Sequence, residues 1–129
     1  MQALMLRALG IGLALFSTLL AAAPTPPGVR AELDGLFAEL QRQQCKLYRN
    51  GSWHEAAQAR QHMLRKLAYL EERGTVQSAE QFIEQAATKS STSGKPYEVQ
   101  CGQAPAQPSR TWLLAALAAQ RKARAASAP

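Results

Sequence analysis

Lys89 to Cys101 reads KSSTSGKPYEVQC, four hydroxyl residues, a glycine and a lysine ahead of a proline. Residues of these types serve three chemistries. Backbone N–H groups with a lysine cradle phosphates, a serine with a lysine makes a hydrolytic nucleophile, and hydroxyls with one cation receive an anion. A Walker A loop is excluded, because Lys89 stands where the first glycine belongs and Pro96 where Ser or Thr would hold magnesium. An S-x-x-K hydrolase fits poorly, since Thr92 occupies the nucleophile's place and Lys95 precedes a proline, which keeps it out of a helix. The anion-receiving loop, Ser90, Ser91, Thr92, Ser93 and Lys95, survives this comparison. The same composition also makes an ordinary turn.

The two histidines, His54 and His62, are not a metal helix, because Gln58 sits where an HExxH pattern needs its second histidine. His62 shares a polar face with Glu55 and Lys66, where it is a base, a pH-sensitive contact or a solvated ring. Glu80 and Glu84 are one helical turn apart, but neighbouring carboxylates on one helix point outward together and do not flank a sugar. The candidate ligand-binding set is therefore Arg49, Asn50, His62, Lys66, Ser90, Ser91, Ser93 and Lys95. No catalytic residue, cofactor or metal is assigned.

Positioning these groups falls to four helices and a ribbon. Val29, Leu33, Leu36, Phe37 and Leu40 recur at helical spacing after the PTPPG linker. The run Cys45 to Arg49 is β-compatible, and Asn50-Gly51 turns the chain because both residues tolerate positive φ. Ser52 and Glu55 read as a capping box opening a second helix to Arg73, with Trp53 on its apolar side. Ser78 and Gln81 open a shorter third helix. Tyr97, Val99 and Cys101 alternate with Glu98 and Gln100 as in a strand buried on one face. Pairing that strand antiparallel to Cys45–Arg49 joins the cysteines and sets Leu47 against Val99 and Arg49 against Tyr97. Residues 102–108 read as a linker and Ser109 as the N-cap of a last helix. The fold expected is a small, mainly helical α+β domain with a two-stranded antiparallel ribbon tied by one disulfide.

Arg7 precedes an apolar run from Ala8 to Ala23 that ends in small residues, the pattern of a secretory signal peptide. The run falls short of the roughly 20 apolar residues a spanning helix needs, so no membrane span is expected after cleavage. Residues 24–129 then form one periplasmic domain of roughly a hundred residues, small enough to profit from a covalent staple. Cys45 and Cys101 supply it in an oxidising compartment, at roughly 4 kcal/mol in the chain-entropy picture. The chain carries 15 Lys and Arg against 9 Asp and Glu. Arg121, Lys122 and Arg124 place much of the excess in a C-terminal tail, expected to be flexible from about residue 121. A basic tail on a nearly neutral exported domain suits contact with anionic lipid or polysaccharide and not with nucleic acid, and the same cations equally complement a helix C-terminus and keep the tail soluble.

The blocks RNG (49–51), HMLRK (62–66), SAEQFI (78–83) and SSTSGKPYEV (90–99) resemble the YfeK-like family of small exported bacterial proteins, a domain of unknown function. The likeness runs from about Phe37 to Cys101 and is most specific in the last block. It implies a bacterial periplasmic protein and no particular activity. Arg49, Asn50, Gly51, His62, Lys66, Glu80, Ser91, Ser93, Gly94, Lys95 and Tyr97 match the family's recurring polar and turn positions, while the cysteine pair is not in every member. The leading expectation is a non-enzymatic binding or interaction module for an anionic envelope component. The alternatives are a hydrolase of envelope material, with His62 as base and a loop serine as nucleophile, and a purely structural envelope protein.

Overall fold

The computed structural model describes residues 10–15 and 23–129. Most of the signal segment expected over residues 1–23 lies outside the described residues.

The first helix, α1 (Pro27–Arg42), begins with a proline at the position where a missing N–H costs nothing. Its stripe Leu33, Leu36, Phe37 and Leu40 is buried. Strand β1 (Cys45–Arg49) follows and turns through Asn50 and Gly51, whose φ angles of 48° and 86° are those of a two-residue hairpin loop. The return strand is β2 (Ser52–Glu55), paired with β1 from Arg49↔Ser52 to Lys46↔Glu55. This corrects the capping box expected at Ser52 and Glu55. The Asn-Gly turn delivers the chain back along β1, so ladder pairing overrides the helix-start pattern. Helix α2 (Ala56–Arg73) starts only afterwards, capped by Glu55 without a side-chain bond. Trp53 consequently lies on the sheet, 42% exposed, and not on the helix's apolar side.

Helix α3 (Ala79–Ala86) starts as expected: Ser78 Oγ accepts from Gln81 N–H at 3.0 Å, while Gln81 Oε1 reaches back to the Gln77 N–H at 2.7 Å. Strand β3 (Glu98–Cys101) pairs antiparallel with β1 in the expected register, Cys45↔Cys101 and Leu47↔Val99. The ladder stops at Tyr48↔Glu98, so Arg49 and Tyr97 are not a strand pair. Tyr97 instead donates its N–H to Thr88 O and accepts from Ser109 N–H. A short strand β4 (Gln107–Pro108) lies within the segment read as a linker and pairs with β3. The expected ribbon is thus the middle of a four-stranded antiparallel sheet, in the order β2-β1-β3-β4. Cys45 and Cys101 are joined by a disulfide.

Helix α4 (Ser109–Ser127) is capped by Pro108. Ser109, expected as the cap, is its first residue, fully buried, with a hydroxyl that has no partner. The basic residues expected in a tail from about 121 lie on this helix. Arg121 donates to both oxygens of the buried Glu32, at 2.7 and 3.0 Å, Arg124 adds a third contact at 3.3 Å, and Arg121 also pairs with Glu80. The Arg121 hydrogen bonds hold Glu32 below its ordinary pKa despite the opposing effect of burial. Among the described residues no helix is long and apolar enough to cross a membrane.

Strand alternation sorts the sheet into two faces. Cys45, Leu47 and Val99 point into one core with Phe37, Met63, Leu67, Phe82, Ile83 and Leu113. Lys46, Tyr48, Trp53, Glu55, Glu98 and Gln100 alternate onto the other face, which no described helix covers.

Candidate functional site

The loop from Lys89 to Pro96 closes on itself through backbone bonds. Lys89 and Pro96 bridge, Ser90 N–H donates to Lys95 O at 2.9 Å, and Gly94 N–H donates to Ser90 O at 3.0 Å. Gly94 sits at φ 71°, a conformation that favours glycine and reverses the loop tip. Inside the turn, Ser90 is buried and its Oγ accepts from the Thr92 and Ser93 N–H groups at 3.3 and 3.2 Å. Its hydroxyl also meets Thr92 Oγ1 at 3.0 Å. Ser90 is therefore a structural pin whose lone pairs are already used. Ser91, Thr92, Ser93 and Lys95 are exposed.

Ser93 ties this loop to the hairpin. Its Oγ donates to Asn50 Oδ1 at 2.8 Å and accepts from the Lys95 N–H at 3.2 Å. Two segments more than forty residues apart in sequence thus share one bond, and the turn residues Asn50 and Gly51 stand beside the loop tip.

On the other side of the loop, α2 contributes Lys66 and His62, and Tyr97 joins them. Tyr97 is 2% exposed, so its phenol needs partners within the protein. Lys66 Nζ supplies one at 3.0 Å, while also donating to the carbonyl oxygens of Ala86 at 2.8 Å and Lys89 at 3.5 Å. The ammonium lies 4.9 Å from the Tyr97 ring centroid. His62 Nε2 is 3.3 Å from the same hydroxyl. Burial holds His62 down at a pKa of about 4, helped by the positive charges of Arg49, Lys66, Arg65 and His54. The ring is therefore neutral near pH 7. Tyr97 Oη stands between the two side chains, accepting from Lys66 and sharing a hydrogen bond with His62 Nε2.

Of the candidate residues, the structure brings Asn50, Ser90, Ser93 and Lys95 together in one loop-and-turn assembly, with Ser91 on its exposed part. Lys66 connects α2 to the loop base at Lys89, His62 meets Tyr97, and Arg49 lies close enough to His62 for its charge to act on the ring. His62 and the loop hydroxyls are not joined by a hydrogen bond among the described residues: His62 Nε2 faces Tyr97 and the Ser90 oxygen faces its own turn. Tyr97 is the residue missing from the sequence-based site. Its alternation with Val99 signalled burial; the phenol at the end of a buried ring was the sign that polar partners must converge there. Among the described residues no three His, Cys, Asp or Glu side chains are grouped to hold a metal ion.

The Family of unknown function (DUF5329) matches residues 27–121, which is more than half of the sequence, and the chain belongs to that family. No curated protein matches the chain, and neither does any solved structure.

Proposed function

We propose that this DUF5329 member is a non-enzymatic binding module whose loop-and-turn assembly receives a phosphate-type anion carried by a cell-envelope component. The observation that carries this reading is the sign of the charge gathered around His62, which Lys66 joins to the base of that loop. Arg49, Arg65 and Lys66 all press positive potential onto His62. Among the described residues, Arg49, Arg65, Lys66 and Lys95 have no carboxylate at ion-pair distance, whereas Glu39, Glu55 and Glu84 are engaged elsewhere by Arg42, Lys46 and Arg110. Cations left unpaired around a partly buried centre attract an anion, and the exposed hydroxyl of Ser91 can donate to its oxygens, while Ser93 holds the loop to the Asn50 turn.

We read the apolar run Ala8–Ala23 as a cleaved export signal and the mature chain as periplasmic, in a bacterium, on the pattern of the YfeK-like proteins it resembles. A disulfide between Cys45 and Cys101 accords with an oxidising compartment. Edman sequencing of protein recovered from the periplasm should begin near Pro24; an intact Met1 in a cytosolic fraction would refute the export reading.

Binding is tested by calorimetry on the disulfide-bonded protein, with inorganic phosphate in one arm and phosphatidylglycerol vesicles in the other. Saturable heat at a Kd of about 0.1–10 mM, weakened at least fivefold in Arg49→Gln, is expected in the arm that supplies the anion. A response to vesicles alone assigns the lipid headgroup, and a response to both assigns the phosphate group itself. Silence in both arms, with the circular dichroism of the folded protein intact, would overturn the reading.

A further inference from the structure

The face of the sheet turned away from the core carries a second set of side chains that the anion site does not use. Across β1 and β2, Tyr48 and Trp53 stand opposite each other with ring centroids 5.2 Å apart. One step along the same face, Lys46 lies opposite both Glu55 and Gln100. Lys46, Glu55 and Gln100 also line a cleft of about 650 Å³ beside the disulfide, together with Gln41, Gln44, Gln103 and the small apolar Ala56 and Ala57, and Tyr48 and Trp53 lie outside it, one step along the same face. The volume lies within the roughly 300–1,000 Å³ of small-ligand clefts.

From this juxtaposition we infer that the cleft and its aromatic ledge form a binding site for a neutral saccharide built of pyranose rings. Each glutamine amide offers a donor and an acceptor in one plane, the pattern that adjacent sugar hydroxyls complement. The π faces of Tyr48 and Trp53 carry negative charge density and suit the weakly positive C–H face of a pyranose. Charge excludes an anion here, because Lys46 is already paired with Glu55 at 3.6 Å and Glu98 stands beside Tyr48 across the ladder. A protein partner is disfavoured because a stable interface needs about 800 Å² per side around an apolar centre, and this face supplies one aromatic pair among charged and amide groups. The site is separate from the anion-receiving assembly, since Arg49 and His54 alternate to the other face of the same strands.

The test is a ¹H–¹⁵N NMR titration of the oxidised protein with maltotetraose, cellotetraose and the tetramer of β-1,4-linked N-acetylglucosamine. At least one of the three is expected to shift the side-chain amides of Gln41, Gln44, Gln100 and Gln103 and the Trp53 indole saturably. Trp53→Ala should weaken that binding at least tenfold, Trp53→Tyr should retain it within about threefold, and phosphate binding should be unaffected by either. No saturable shift from any of the three sugars at about 10 mM overturns the inference. Shifts that persist unchanged in Trp53→Ala, or Trp53-dependent dimerisation in sedimentation with no sugar response, do the same.

Discussion

At the scale of single residues the site turns on Tyr97, His62 and Lys66. Tyr97→Phe removes the acceptor that Lys66 uses and the hydroxyl that His62 meets while keeping the ring in the core. Because Lys66 retains the Ala86 carbonyl, the loss of stability is expected to be about 1–2 kcal/mol, read from urea unfolding at pH 7. His62 adds a pH dependence whose sign follows from its depressed pKa. The unfolded ring titrates near 6.5 and the folded ring near 4, so between those values the unfolded chain holds the extra proton. Stability contributed by the neutral ring is complete above pH 6.5 and lost as the pH falls to 4. The loss is about 1–2 kcal/mol, roughly half the full value of such a shift because the ring is partly exposed. Urea midpoints across this range should slope in the native chain and less so in His62→Gln. The polar candidates were legible because Ser, Lys and Asn crowd two turns of the sequence, whereas Tyr97 looked like one more inward strand residue.

At the scale of elements, the sequence signals that held were those with one physical outcome. Asn50-Gly51 makes a tight reversal wherever it falls, and the Leu33, Leu36, Phe37, Leu40 stripe has only a helix to serve. The S-x-x-E at Ser52 was ambiguous in a way local pattern could not resolve: four residues are a helix cap or a return strand, and β1 beside them decided it. Pro108 hid β4, since a proline lacks the N–H a ladder needs and is admitted only at an edge such as this one. Ser109 shows the cost of a misread boundary. Its hydroxyl is buried without a partner, so Ser109→Ala should raise stability by about 1 kcal/mol and the thermal midpoint with it, although a helix cap would lose stability on the same change. An unchanged or lowered midpoint would mean the hydroxyl is satisfied.

The whole molecule is a sheet with helices on one face, held at its centre by the Cys45–Cys101 bond and at its side by the Glu32 clasp on α4. The disulfide closes a span of 56 residues, so the Cys45→Ala/Cys101→Ala double variant is expected to lose about 4 kcal/mol in the chain-entropy picture, measured by urea unfolding against the oxidised protein. A loss below about 1 kcal/mol would mean that the β1–β3 ladder suffices without it. The register that joins the sulfurs also brings the Asn50 turn to the Ser93 loop, so staple and site are one piece of architecture. Four helices, the β1–β3 pairing and the bridge are legible in the sequence. The two flanking strands could not, because each is specified by its neighbour in space more than by its own residues.

On the reading proposed above, an anion settles among the cations around a neutral His62. The most direct measurement is the NMR titration of the His62 ring, with and without saturating sulfate, which stays an anion across the range. A midpoint of about 4 in the free protein that moves upward with sulfate is expected, since a bound anion offsets the charges that hold the ring neutral. A midpoint near the ordinary 6.5, or a depressed one that sulfate leaves in place, would mean that no anion is received beside this ring.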